Sequence, residues 1–294
     1  MTKHIFYIVD VFAEVKYTGN QLAVITNAED LSDSEMLKLA NEIHFSETAF
    51  VLAHSQSNNE YAIRIFTPSI EVPFAGHPTL GTAYIINHFI AKCTTKEVTL
   101  NVKAGQIKIN FEHGANGKET VWMRQLPPVF DKTIGRSKIQ DLLGLDETDI
   151  DDRYPVEEIS TGLPFVIVPL QNLEAVKKAR INKNILLEIT KQKQVGILVF
   201  SPQTYNRENQ LNVRVFVDAF GIPEDPATGS ANGCLAAYLV KHQYFGNQII
   251  NINVEQGFEI NRPSILHLRA KTENDEIQID VGGQVLLAAK GEIF

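Results

Sequence analysis

Apolar and polar positions alternate in short runs along the first half of the chain: IFYIVDVF, LAVIT, TAFVLA, YAIRIF, EVTLNV, QIKINF and TVWMRQ. Each predicts a β-strand, because a pleated backbone sends successive side chains to opposite faces. Two stretches change to a helical period. In LSDSEMLKLANEI, Ser32 and Glu35 have the spacing of a capping box, and Met36, Leu39, Ala40 and Ile43 fall on one apolar face. A second helix is predicted to begin near Pro78 and run through TLGTAYIINHFIA, with Leu80, Ala83, Tyr84 and Ile90 inward. NGKET at 116–120 predicts a hairpin turn between KINFEH and TVWM.

A polar, proline-containing stretch, QLPPVFDKTIGRS, separates this half from one that repeats its order. The second half reads strand PFVIVPL, helix around NILLEITKQ, strand VGILVF, strand NVRVFVD, then EDPATGSANG leading into the apolar helix CLAAYLV. Laid without a gap on RVFVDAFGIPEDPAT, the segment RIFTPSIEVPFAGHP matches Arg64 to Arg214, Phe66 to Phe216 and Pro73 to Pro223, and sets Ala75 on Asp225. A four-residue insertion beyond it brings AYII onto AYLV. An internal repeat fixes architecture before any local detail. The expected fold is α/β (α+β), with two pseudo-symmetric lobes, 1–124 and 125–283, whose two helix lead-ins, PFAGHPTLG and EDPATGSANG, face one another across a cleft.

Composition narrows the class. A chain of 294 residues, 44% hydrophobic and 21% charged, can bury a full core and has the length of about two domains. Its 27 basic and 35 acidic residues leave a charge of −8 with no basic block, which argues against nucleic acid or an anionic membrane as the main partner. A small molecule is expected instead. The N-terminus lacks the order of a signal peptide and no run is long enough to span a bilayer, so a cytoplasmic protein is expected. Cys93 and Cys234 form no CxxC pair and are expected to be small buried apolar residues. The eight histidines show neither HxH nor HExxH spacing, so no metal or other cofactor is expected. NGKET also lacks the leading glycine and following hydroxyl of a phosphate loop.

Candidate chemistry gathers at the helix lead-ins. A helix N-terminus presents unpaired N–H groups and the positive end of a dipole, which together hold a carboxylate without a basic side chain. His77, Asp225 and Ser230 lie there, with Glu224 beside them. Glu47, in HFSETAFVL, heads an alternating strand; burial near Phe45 and Phe50 would suit it to take up and release protons. Each has a plainer reading. Glu47 would be a solvated strand-end acid, His77 a helix cap or core histidine, Asp225 before Pro226 a turn start, Ser230 a cap and Glu224 a surface acid. A serine hydrolase does not fit, because GSANG is not the G-x-S-x-G elbow and no acid and histidine follow in order.

These blocks, DVFAEVKYTGNQLAVI at 10–25, SETAFV at 46–51, RIFTPSIEVPFAGHPTLGTA at 64–83, EDPATGSANG at 224–233 and the closing VGGQVLLAAKGEIF, resemble the phenazine biosynthesis PhzF-like protein family, of the diaminopimelate epimerase-like fold. The resemblance implies two lobes, each a sheet wrapped around a central helix. It also implies a C-terminal strand, about 284–294, returning to the first lobe, and a homodimer. It gives Glu47 the part of general acid/base, and His77, Asp225 and Ser230 parts in moving the proton or holding the substrate. The backbone around Gly76, and of Thr228 and Gly229, would receive a substrate carboxylate, with Asn20 lining the pocket. Gln21 stands where many relatives have proline, a departure that touches loop rigidity. Epimerases of this fold use two thiols at positions that the ungapped repeat places at Ala75 and Asp225, and neither is a cysteine here. The expected function is a cofactor-independent isomerase that moves a proton between carbons of a small carboxylated metabolite bound between the lobes. The rival reading is a non-catalytic binding member of the same fold.

Overall fold

The computed structural model describes residues 3–55, 59–92, 95–114, 117–191 and 193–294. It divides into two compact units, Met1–Arg124 with Gly282–Phe294, and Gln125–Val281. No helix among the described residues is long and apolar enough to cross a membrane.

The first unit runs β1 (His4–Val11), β2 (Asn20–Thr26), α1 (Asp33–Ile43), β3 (Thr48–Ser55), β4 (Glu60–Phe66), β5 (Glu71–Val72), α2 (Gly76–Ile85), β6 (Glu97–Val102), β7 (Gly105–His113) and β8 (Glu119–Arg124). The chain's last strand, Val285–Ile293, pairs antiparallel with β1, whose other edge pairs antiparallel with β2. Pairing continues as β2 parallel to β3, β3 antiparallel to β4, β4 parallel to β6, and β6 to β7 to β8 antiparallel. The parallel steps need long crossovers, and α1 and α2 supply them. α1 carries the expected capping box: Ser32 Oγ accepts from Glu35 N–H and Glu35 Oε2 accepts from Ser32 N–H. Such a cap contributes about 1 kcal/mol. Met36 and Ala40 are buried among Ile25, Ala28, Phe50 and Phe66, with Leu39 and Ile43 packed on the rim.

α2 is a different kind of helix. Its small and apolar residues face protein on every side, and it packs against β1, β2, β3, β6, β8 and the last strand. A helix without a polar face belongs in a core. Gly81 permits this: a Cβ there would come within 2.6 Å of a Leu22 methyl and 2.9 Å of a Val11 methyl. The helix begins at Gly76, two residues before the sequence reading, and continues as a π-helical turn over Ile86–Ile90. Leu80 and Ala83 are buried as expected, whereas Tyr84 and Ile90 are only half-buried. The expected hairpin joins β7 to β8, closed by Gly114 and Lys118, though Asn116 lies outside the described residues.

The second unit repeats the order with additions. Its elements are β9 (Val129–Ile134), α3 (Arg136–Leu143), β10 (Val156–Ser160), β11 (Pro164–Pro169), α4 (Leu173–Lys178), α5 (Lys183–Thr190), β12 (Gly196–Ser201), β13 (Leu211–Val217), β14 (Ile222–Asp225), α6 (Gly229–Lys241), β15 (Ile249–Gln256), β16 (Ser264–Glu273) and β17 (Glu276–Gly283). β10 to β11 is antiparallel, β11 to β12 parallel, β12 to β13 antiparallel, β13 to β15 parallel and β15 to β16 antiparallel. That is the sequence of pairings from β1 to β7, with β14 in the place of β5 and α6 in the place of α2. The stretch read as a polar connection, QLPPVFDKTIGRS, instead contains β9, paired with β10, and the start of α3. Its two prolines fall before the strand, where no ladder donor is needed.

Candidate active site

Glu47 stands immediately before β3, and β3 points alternate side chains to opposite faces. Phe50 goes to the α1 side, packed edge-on against Phe66. Glu47 goes the other way, so Phe50 does not line its surroundings as the sequence reading expected. What faces Glu47 is His77 in the first turn of α2, with Nε2 3.6 Å from Glu47 Oε2. Both side chains are largely enclosed, 18% and 7% exposed.

The spacing would suit an ion pair, but burial pushes the His77 pKa down to about 3, opposed in part by a hydrogen bond to the Gln21 main chain. We therefore take the ring as neutral near pH 7. A main-chain group that favours imidazolium is a carbonyl, and Nε2 has no hydrogen-bond partner among the described residues, so the Gln21 carbonyl falls to Nδ1–H. That bond selects the tautomer. Nε2 is left with its lone pair toward Glu47. Asn20, buried at the start of β2, adjoins the Gln21 backbone that orients this ring.

His77 is not a helix cap: the N-cap of α2 is Ala75, with no side-chain cap bond. Thr228 holds the same place on α6, again with no side-chain cap bond. The first-turn N–H groups at Gly76 and at Gly229 are thus not covered by capping side chains, the arrangement that suits an anion. Ser230 is the second residue of α6, as His77 is of α2. Asp225, at the end of β14, is buried, and its carboxylate accepts the Thr228 hydroxyl.

The structure corrects the alignment of the two halves. Arg64 forks onto Glu71, Nε to Oε1 and Nη2 to Oε2 both at 2.9 Å, and lies over the Phe66 ring. Arg214 forks onto Glu224 at 2.9 and 2.7 Å and lies over Phe216. Glu224 is therefore half of an enclosed ion pair, not a surface acid. Beyond it the second hairpin is longer: Ile65 pairs with Val72, whereas Val215 pairs with Asp225 after a 3-10 turn at Asp218–Phe220. Asp225 thus corresponds to Val72, Thr228 to Ala75 and Ser230 to His77. The ungapped match of Ala75 to Asp225 fails by three residues.

The same registers locate the counterpart of Glu47. Thr48 pairs with Phe66, and Ile197 pairs with Phe216, so Glu47 corresponds to Gly196. A Cβ at Gly196 would come within 2.4 Å of the Phe165 ring. The repeat has room for the acid once only. Nor is there a thiol pair: the helix-cap positions hold Ala75 and Thr228. Cys234 is fully buried, bonded to Thr161 and the Leu163 carbonyl, with its thiol pushed up to about 12 by burial. Cys93 lies outside the described residues. Among the described residues no His, Cys, Asp or Glu group could hold a metal ion.

Comparison with known proteins agrees with this frame. The family PhzC-PhzF, phenazine biosynthesis-like protein, matches residues 9–291. The chain belongs to this family. It is 32% identical over 301 residues to an uncharacterised isomerase of Clostridium acetobutylicum, covering 99% of this chain and 98% of that one. It is 32% identical over 294 residues to a trans-2,3-dihydro-3-hydroxyanthranilate isomerase of Pseudomonas chlororaphis, covering 99% of each. The crystal structure of a Bacillus anthracis phenazine biosynthesis protein of the PhzF family superposes with a TM-score of 0.91 at 27% identity, each chain fully covered. This PhzF-family member is an isomerase with the mixed α/β fold of its relatives.

One group in this PhzF chain has no counterpart in the sequence reading. Gln256, at the end of β15, is fully buried and makes four hydrogen bonds to the α6 lead-in. Its neighbour Glu255, equally buried, accepts from Tyr205 N–H, Asn206 N–H, Asn209 Nδ2 and Asn212 Nδ2. The available signal is VEQG, two polar residues in succession at the end of a strand that had alternated.

Proposed function

We propose that the protein moves a proton between carbons of a small carboxylated substrate, with Glu47 as the general acid and base. The observation that carries this reading is the Glu47–His77 pair: an enclosed carboxyl group facing a neutral imidazole. A carboxylate at Glu47 takes the proton from an activated carbon. The resulting acid faces the lone pair of His77 Nε2, which takes no proton from solvent near neutral pH, and returns its own proton at a second carbon. No net charge is added to the enclosed pair by the histidine, and one carboxyl serves both half-steps. A glycine in the corresponding place of the second half favours this one-acid isomerisation over a two-base racemisation.

The substrate carboxylate is assigned to helix N-terminal N–H groups at Gly76 or at Gly229, the Thr228 N–H being taken by Gln256, with Asp225 and Ser230 assisting and Asn20 lining the site. The Pseudomonas relative's name supplies a candidate: trans-2,3-dihydro-3-hydroxyanthranilate, a cyclic amino acid whose isomerisation is a proton shift. The test is to incubate the protein with this compound in heavy water and follow deuterium incorporation and product by NMR. Glu47→Gln is expected to lower both by about 10²–10⁴-fold, the usual contribution of a positioned acid or base. Wild-type rates in Glu47→Gln would rule the reading out.

A further inference from the structure

The Asp225–Ser230 segment is held from behind by the end of β15. Gln256 Nε2 donates to the Asp225 carbonyl at 2.8 Å and to Thr228 Oγ1 at 3.1 Å. Its Oε1 accepts from Thr228 N–H at 3.2 Å and from Asn232 Nδ2 at 2.9 Å. A carboxamide has two donor hydrogens and two acceptor lone pairs, so every site is used. Only one orientation works. Turned over, the NH₂ would meet two donors and the oxygen would meet the Asp225 carbonyl. Gly257 completes the support: at φ +78°, a Cβ there would come within 2.6 Å of the Pro226 carbonyl.

This fixed amide has a consequence at Asp225. A threonine hydroxyl has one hydrogen. Because Nε2 donates into a lone pair of Thr228 Oγ1, that hydrogen points elsewhere, and Asp225 Oδ2 is within hydrogen-bond reach. Were the residue at 256 an acceptor on that side, the hydroxyl would turn to it and Asp225 would lose this donor.

We propose that Gln256 is a positioning residue for the isomerisation, directing the Thr228 hydroxyl onto the Asp225 carboxylate and so fixing that carboxylate for the reaction. The proposal rests on the reading of Asp225 as a site residue. It extends the site one layer inward, to a residue that touches no substrate.

Neutron diffraction from the deuterium-exchanged protein tests the core of the proposal without a substrate. The deuteron on Thr228 Oγ1 is expected to lie toward Asp225 Oδ2; a deuteron directed at Gln256, or a reversed amide, overturns it. Kinetics test the consequence, using deuterium incorporation into trans-2,3-dihydro-3-hydroxyanthranilate. Gln256→Glu keeps the acceptor and removes the donor; Thr228→Val removes the hydroxyl. Each is expected to lower kcat by about 10–100-fold with KM changed less than about threefold, and the double variant should fall no further than the worse single one. Multiplying effects, or wild-type kcat in either variant, would refute it. Thr228→Ser is expected to stay within about threefold of wild type, a rescue that loss of packing would not give. Should Gln256→Glu fail to fold, the Thr228→Val and Thr228→Ser pair decides, and should the compound not be turned over, the neutron result decides. Wild-type exchange in Glu47→Gln with the deuteron as expected would remove the acid/base reading and leave the positioning geometry standing.

Discussion

His77 can be tested through stability as well as activity, because its folded-state pKa, about 3, lies below the ordinary histidine value near 6.5. Below about pH 6.5 the unfolded chain binds a proton that the folded chain refuses. Stability from this group is therefore complete above that pH and declines as pH falls toward 3, at about 1.4 kcal/mol per pH unit. Urea unfolding at pH 7 and pH 5 should show wild type losing about 2 kcal/mol more than His77→Gln over that interval. Equal losses would mean that the ring binds its proton as readily folded as unfolded, and a smaller loss in wild type than in His77→Gln would mean that it is charged in the folded protein and paired with Glu47. The sequence alone marked both members of this pair, since a glutamate heading a strand and a histidine at a helix lead-in are local features. It did not mark Gln256, whose importance comes from partners 24 to 31 positions away. It misjudged Glu224 for the same reason: only the paired strands show that Arg214 reaches it.

At the scale of elements, the two Arg–Glu clasps tie each long strand to its short hairpin partner, yet they differ in strength. Arg214 and Glu224 are 6% and 10% exposed, and the remaining partners of Arg214 Nη1 are main-chain carbonyls of Val176, Lys177 and Ala179. Arg64 and Glu71 are 24% and 21% exposed, and Arg64 keeps a second carboxylate, Asp33, when Glu71 is lost. Removing one partner of a buried pair strands the other charge. Glu224→Gln is expected to cost about 3 kcal/mol and Glu71→Gln about 1 kcal/mol, read from urea midpoints at constant slope. Gly81→Ala tests the other structural device, the close seat of α2 on β1 and β2. Its methyl has no room beside Leu22 and Val11, and overpacking of this kind costs about 1–3 kcal/mol. Alternation and capping made most strands and α1 legible in the sequence. The beginning of α2 was less so, because Ala75 offers no capping side chain, and β9 was hidden by the prolines that precede it. The three-residue slip in the repeat was missed too: it comes from a longer hairpin, and the match of Pro73 to Pro223 hid the frame in which Glu71 meets Glu224 and Pro73 meets Pro226.

For the whole molecule, the repeat in the sequence was the decisive signal: matching arginines and phenylalanines on two strands pointed to two halves built by one topology. The last strand is the exception to that order. Val285–Ile293 leaves the second half's span and pairs along the whole of β1, with a register shift between Ile8 and Val9. β1 keeps β2 on its other edge, so a chain ending at Gly283 would lose one ladder and expose one edge rather than lose the strand. An open edge next to the buried Val9 and Val11 is a site for further pairing. Removing residues 284–294 is therefore expected to strip exchange protection from about half of the β1 amides and to make the protein prone to association. Amides of β10 to β13 should keep their protection, because those strands pair with one another and with β9, β14 and β15. Hydrogen exchange read by mass spectrometry separates the two outcomes. Protection lost across both units at once would show that they unfold as a single block, and the last strand would then be a support of the entire chain rather than of the half that carries Glu47 and His77.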